Sequence, residues 1–367
     1  MLQRAYRYRL YPTKEQRIYF SKCFGSVRFL WNKMLADRIE CYEKYGNDKE
    51  HSPRSYTSWK KDYNWLYEID ALALANVYLQ LNAAYRRFFC DKQVGFPNFK
   101  SKRARKDRYT TNNQNNNIRI ENGRVKLPKI GWVKVVDHRV IPEDAVIKSC
   151  TISLTPSGKY FISMLTERPF EQPSLILDKE KTLGLDYSSP HFYTDSQGVE
   201  ANYPRFYRRS ESSLQREQHK LSKMRKGSKN REKQRTKVAR AHERIANQRK
   251  DWLHKESRRI VGEWDYVAVE DINLRGLAGA LRFGKSTNDN GFGMFRTFLR
   301  YKLEEQGKQL VVVDKWFPSS KLCPVCENTK KELSLSDRIY KCDCGYVCDR
   351  DINAANNIRD WSMRNVG

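Results

Sequence analysis

Hydrophobic and polar positions alternate at the start of the chain. Tyr6, Tyr8 and Leu10 are separated by Arg7 and Arg9, the period of two expected of a half-buried strand. Pro12 and Thr13 follow, and Thr13 with Gln16 has the spacing of a helix capping box. Val27, Trp31, Met34, Leu35 and Ile39 then recur at helical intervals, with Gly25 as an interruption upstream. A second helix is predicted over 71–90, its apolar set being Leu72, Ala75, Leu79, Leu81, Ala84 and Phe88. Phe96-Pro97-Asn98-Phe99-Lys100 ends it. A basic run comes next (Lys100, Lys102, Arg103, Arg105, Lys106, Arg108), and the polar tract Asn112 to Asn117 reads as a loop.

From Ile118 to about Glu167 the pattern is strand-like, in short runs such as Val133-Lys134-Val135 and Tyr160-Phe161-Ile162-Ser163. Asn122-Gly123, Pro128, Pro142 and Ser157-Gly158 break these runs. Together with the first strand they predict a small β-barrel. Arg168 to Lys181, with Pro169 and Pro173, reads as a linker. A strand ending at Asp186 follows, with His191-Phe192-Tyr193-Thr194 as its hairpin partner. A long basic helical segment covers about 207–260, and Gly227-Ser228 splits it into a hairpin. Then come a strand ending at Glu270, a helix presenting Phe292, Phe295, Leu299 and Leu303, the strand Leu310-Val311-Val312-Val313, and a last helix at about 351–361. There is no internal repeat.

Composition narrows the partners. Seventy basic residues against 43 acidic give a net charge of +27 over 367 residues. Such an excess repels itself unless an anionic partner neutralises it, and nucleic acid is the commonest. No apolar run approaches the roughly 20 residues of a spanning helix, and the N-terminus is not a signal peptide. The reading is therefore no membrane and a soluble, intracellular protein. Tyrosines and tryptophans interleaved with basic residues can stack on bases, although most of them read as ordinary core.

Four of the nine cysteines cluster as Cys323-x-x-Cys326 and Cys342-x-Cys344-Gly345. Four thiolates in two short pairs match a closed, structural zinc site. The second pair has one intervening residue instead of two, and Cys348 is the alternative fourth ligand. Such a site leaves catalysis to be sought elsewhere.

Three acids supply it. Asp186 and Glu270 each end an apolar strand, and Asp351 opens the final helix, where Asn353-Ala354-Ala355 permits close packing on a sheet. Carboxylates converging on Mg²⁺ or Mn²⁺ are what two-metal phosphodiester cleavage requires. Each acid alone has an ordinary structural reading, Asp351 most of all as a helix N-terminal acid. Asp349, Asp271 and Asp195 compete for the same roles. The basic segment 208–259 carries more charge than i,i+4 pairing can balance, which favours phosphate contact.

With these residues in hand the chain resembles the TnpB family, transposon-encoded RNA-guided nucleases related to type V CRISPR effectors. The resemblance runs through Tyr11-Pro12, Arg28-x-x-Trp31-Asn32, Gly95-Phe96-Pro97-Asn98-Phe99-Lys100-Ser101-Lys102 and Lys126-Leu127-Pro128-Lys129-Ile130-Gly131. It is most specific from Ser319-Ser320-Lys321 and the cysteines to Asp349-Arg350-Asp351-x-Asn353-Ala354-Ala355. The stretch after Asp186 lacks the glycine expected there.

The resemblance implies an α+β multidomain fold: an N-terminal β-barrel (WED-like) with a helical (REC-like) insertion, then a RuvC/RNase H-like α/β nuclease domain with an inserted zinc ribbon. The boundaries follow as 1–11 for the first barrel strand, 12–110 for the insertion, 111–172 for the rest of the barrel and 173–367 for the nuclease domain, with the zinc insertion at about 317–348. Asp186, Glu270 and Asp351 become the catalytic, magnesium-binding acids, and Cys323, Cys326, Cys342 and Cys344 the zinc ligands. The implied activity is cleavage of double-stranded target DNA paired to a guide RNA, transposon-end-derived or CRISPR-like, beside a short motif. A nuclease-inactive guided DNA-binding repressor and a DDE-like transposase are the alternatives.

Overall fold

The computed structural model describes residues 1–46, 52–104, 106–171, 178–273, 289, 291–334 and 337–365. Arg105 of the basic run and linker residues 172–177 lie outside them. The chain forms two compact units, Met1–Phe170 and Glu171–Gly367.

The first unit is an antiparallel sheet carrying helices. Its strands are β1 (Leu2–Tyr11), β2 (Asp107–Asn112), β3 (Arg119–Glu121), β4 (Arg124–Leu127), β5 (Gly131–Val136), β6 (Val146–Leu154) and β7 (Tyr160–Arg168), in the order β2-β6-β7-β1-β5-β4-β3. The alternation in β1 decides its faces: Tyr6, Tyr8 and Leu10 are buried with Val133, Val135, Ile152, Ile162 and Met164. Asn122 and Gly123 both take positive φ, 45° and 68°, the turn that joins β3 to β4.

Helix α1 (Lys14–Tyr45) begins at the predicted capping box: Gln16 N–H donates to Thr13 Oγ1 at 3.3 Å, and Thr13 N–H to Gln16 Oε1 at 3.0 Å. It runs through Gly25 without a break, contrary to the expected interruption. A Cβ at Gly25 would meet nothing within 4 Å, so the glycine costs helix propensity without marking a boundary. A short helix that the pattern does not reveal, α2 (Tyr56–Asp62), precedes α3 (Ala71–Cys90). In α3 the buried residues are Ala73, Leu74, Asn76, Val77 and Leu81; of the set expected from spacing only Leu81 is among them, and Leu79 is exposed. That helix is apolar on most sides, so periodicity alone did not select the face.

Two of the motifs that carry the resemblance grip each other in this unit. Trp31 Nε1 donates to the Asn98 carbonyl at 3.0 Å, and Asn32 both donates to Lys100 O (3.0 Å) and accepts from Lys100 N (2.7 Å). Lys100 Nζ sits 3.5 Å above the Trp31 ring. Arg28 closes the set on Asp107 at 3.1 Å.

The second unit is a four-stranded sheet ordered β11-β10-β8-β9. Strands β8 (Thr182–Ser188), β10 (Tyr266–Glu270) and β11 (Gln309–Val313) are parallel, and β9 (Phe192–Asp195) returns antiparallel beside β8 as expected. The turn that lacks glycine is completed by Phe192 at φ 89°. Helices α4 (Phe206–Lys223) and α5 (Lys229–Glu263) form the predicted basic hairpin, turning at Gly227 (φ 84°) with Ser228 as the N-cap of α5. The helix α6 (Phe292–Glu304) buries Phe292, Phe295, Leu299 and Leu303. A two-stranded hairpin, β12 (Ile339–Lys341) and β13 (Val347–Asp349), leads into α7 (Arg350–Asn365).

The two faces of this sheet are sorted by period two. Leu183, Leu185, Val267 and Val269 pack against α5 and α6, whereas Ala268, Val311 and Val313 pack against Ile358 of α7. Among the described residues no helix is long and apolar enough to cross a membrane.

Candidate active site and metal centre

The alternation that sorts the sheet also gathers the acids. Gly184 and Ala268 face α7, and Asp186 and Glu270 lie two residues further along the same strands, hence on the same face. The register Leu185↔Val269 places them side by side at the carboxyl ends of parallel strands. Asp351 stands in the first turn of α7, one helical turn before Ala355, the residue whose carbonyl lies over Gly184.

Electrostatics records their proximity, although the three carboxylates do not draw as close to one another as the sulfurs of the four clustered cysteines do. Burial pushes the Asp186 carboxyl well above the usual range, the charges of Glu270 and Asp351 push it further, and Arg350 offsets part of this. Burial also raises Glu270, and the neighbouring Ser319 side chain offsets part of that rise. Asp351 is turned towards two arginines, Arg350 at 3.2 Å and Arg338 at 3.8 Å.

The competing carboxylates have other partners. Asp349 accepts from the Asp351 and Ile352 N–H groups at 2.9 and 3.1 Å, so it caps α7. Asp195 accepts from Gln197 and Val199 N–H in a turn, and Asp271 pairs with Arg296 at 2.9 Å.

The four clustered cysteines converge. Their sulfurs lie within 4.8 Å of one another, with Cys323–Cys344 at 3.7 Å and Cys326–Cys342 at 3.5 Å. A tetrahedral zinc with bonds of about 2.3 Å spaces its sulfurs by about 3.8 Å, so the donor set fits the metal. Gly345 provides the positive φ (89°) of the second turn. Cys348 is not in the group; it lies on β13 opposite Tyr340.

Spacing did not single out the residues that tie the cysteine region to the acids. Asn353 Nδ2 donates to Leu322 O at 3.0 Å, and Asn357 Nδ2 to Ser319 O and Leu322 O at 2.7 and 2.8 Å. Helix α7 is thereby fastened to the segment that carries Cys323 and the Ser319 hydroxyl. Only the Asn-x-x-x-Asn spacing on one helix face hinted at it.

The basic hairpin keeps its charge outside. Leu214, Val238 and Ile245 form its apolar seam, and Lys223, Arg225, Lys226, Lys229, Lys233 and Lys237 are exposed.

Known proteins resemble this chain from end to end. A relative from Streptomyces pristinaespiralis, named "Putative RNA-guided DNA endonuclease", is 35% identical over 97% of this chain and 89% of its own length. The chain belongs to the TnpB family. An Escherichia coli K12 family member, InsQ, named in the same way, is 29% identical over 96% of this chain and 91% of its own. Family models match residues 169–281 ("Probable transposase"), 292–358 ("Cas12f1-like, TNB domain") and 1–47 ("Helix-turn-helix domain"). In this family member, residues 2–45 are one strand and one continuous helix. The Cas12f1 chain of a Cas12f1–sgRNA–target DNA complex superposes with a TM-score of 0.61 over 94% of this chain and 83% of that one. At 14% identity this likeness shows the fold alone, an α+β architecture shared with Cas12f1.

Proposed function

We propose that this protein is an RNA-guided, divalent-metal-dependent DNA endonuclease. The observation that carries the reading is the gathering of Asp186, Glu270 and Asp351 on one face at one end of the parallel strands. Burial and mutual repulsion leave this cluster short of positive charge, and Mg²⁺ or Mn²⁺ would supply it together with activation of the attacking water. Asp186 and Glu270 hold their oxygens on rigid strands, Ser319 stands beside Glu270, and α7 carries Asp351 towards them. In this reading the second unit is the RuvC/RNase H-like nuclease domain, with a structural zinc ribbon at about 317–348. The seven-stranded sheet is a curled WED-like barrel, and α1–α3 form its REC-like insertion.

The relatives' names motivate the partners, a guide RNA and double-stranded target DNA in a bacterial cytoplasm. The exposed cations of α4 and α5 offer the phosphate contacts. The test is expression with the flanking DNA on both sides of the gene, sequencing of the RNA that co-purifies, and incubation of that complex with matching DNA and Mg²⁺. One dominant RNA and a cut dependent on it are expected. Joining of DNA ends without RNA would replace this reading with a transposase, and binding without cutting with a repressor.

A further inference from the structure

Both oxygens of Asp351 already face cations. Arg350 Nε and Nη2 lie 3.3 and 3.2 Å from its Oδ1, and Arg338 Nη1 lies 3.8 Å from its Oδ2. The two arginines differ in setting. The Arg338 side chain is 63% exposed, whereas that of Arg350 is 14% exposed. Arg350 is also held at its far end, where Nη1 donates to Ser334 O at 3.3 Å, and by its backbone N–H, which donates to Arg338 O at 2.8 Å. A fixed guanidinium therefore occupies an oxygen that a hard divalent cation would take. The guanidinium and such an ion repel each other as well as competing for the same lone pairs.

We propose that Arg350 is a positioning residue that works as a latch. It holds Asp351 in the metal-free protein and moves to a phosphate of the bound strand, so that metal loading depends on nucleic acid. The planar fork of arginine suits a phosphate as well as a carboxylate, so one charge-assisted contact is exchanged for another. No covalent bond changes. The latch rests on the reading of Asp351 as a metal ligand.

The test is Mn²⁺ binding, followed by electron paramagnetic resonance, to the guide-RNA complex with and without a matching phosphorothioate DNA strand. For the wild type, DNA should tighten Mn²⁺ binding about tenfold, within the usual range of site-to-site coupling. By reciprocity Mn²⁺ should tighten DNA binding by the same factor. Arg350→Gln should bind Mn²⁺ tightly without DNA and lose most of that coupling. Arg350→Lys, which keeps the charge without the fork, should fall between them and serves if the glutamine variant does not fold. Equal Mn²⁺ affinity of wild type and both variants in the absence of DNA overturns the latch. Unchanged Mn²⁺ binding by Asp351→Ala overturns instead the assignment of Asp351 to the metal site.

Discussion

Gly184 and Ala355 meet backbone to backbone: a Cβ built on Gly184 would lie 2.0 Å from the Ala355 carbonyl oxygen and 2.8 Å from the Arg359 nitrogen. Neither obstacle is a side chain that can swing away. Gly184→Ala must therefore lift α7 from β8, costing about 1–3 kcal/mol as an overpacked site does. Because α7 also carries Asp351, the expected result is a lowered melting temperature together with loss of metal-dependent cutting. Gly25→Ala is the control. It meets no neighbour in α1 and should raise stability slightly. Thermal melts and cleavage rates of the two variants, side by side, check this.

Asp349 and Asp351 are two residues apart and do different work. Asp349 spends its carboxylate on the first N–H groups of α7, while the charge of Asp351 is felt by Asp186. Asp349→Ala should lower stability by about 1 kcal/mol, the cost of a lost N-cap, and leave cutting measurable. Asp351→Ala should abolish cutting and keep guided DNA binding. Binding and single-turnover cleavage assays on both variants give the answer, and the opposite pattern would exchange the two roles.

Why the sequence separated some of these roles and not others is a matter of range. The alternation of Tyr6, Tyr8 and Leu10 and the Thr13–Gln16 box are local, and both are found as expected. The end of β10 at Glu270 was equally legible, because an apolar run that stops at an acid is visible within five residues; the same reading placed the end of β8 at Asp186, whereas the strand continues to Ser188 in its pairing with β9. The buried face of α3 was not, since Leu72 and Leu79 look as apolar as Leu74 and Val77 until a partner is chosen. Nor does any spacing reveal that Ser319 lies beside Glu270 or that Asn357 holds Leu322 O, because those pairs are 49 and 35 residues apart. The motif Arg28-x-x-Trp31-Asn32 was recognisable only by resemblance; its physical reason, a grip on Asn98 and Lys100, needs the fold.

Asp186→Asn should stabilise the metal-free protein. Burial and two like charges raise the folded-state pKa of Asp186, so the folded protein holds that proton more tightly than the unfolded chain does. The resulting stability is present at pH below the ordinary aspartate range and is lost as pH rises through the folded value. At neutral pH the asparagine variant should melt a few degrees higher, about 2 °C, and the gap should close in acid. Mg²⁺ should raise the wild-type melting point and leave the variant's nearly unchanged. Melting curves from pH 4 to 8, with and without Mg²⁺, test the sign. A variant that melts lower at neutral pH would mean that the Asp186 charge is already compensated.

The cysteine centre reaches the acids through a few hydrogen bonds, and this sets the last expectation. Cys323 follows Leu322, whose carbonyl accepts from both Asn353 and Asn357 of α7, and Ser319 lies three residues further back beside Glu270. Cys344→Ser removes one of four converging thiols and should cost most of the bound zinc, read as metal per chain by mass spectrometry. Cys348→Ser should keep one zinc per chain, because its sulfur lies outside the cluster. Losing the zinc frees the Ser319–Cys323 segment, so cutting should fall further than DNA binding does and return when zinc is restored. If Cys344→Ser retains its zinc and Cys348→Ser loses it, the fourth ligand is Cys348 and the second knuckle closes on β13.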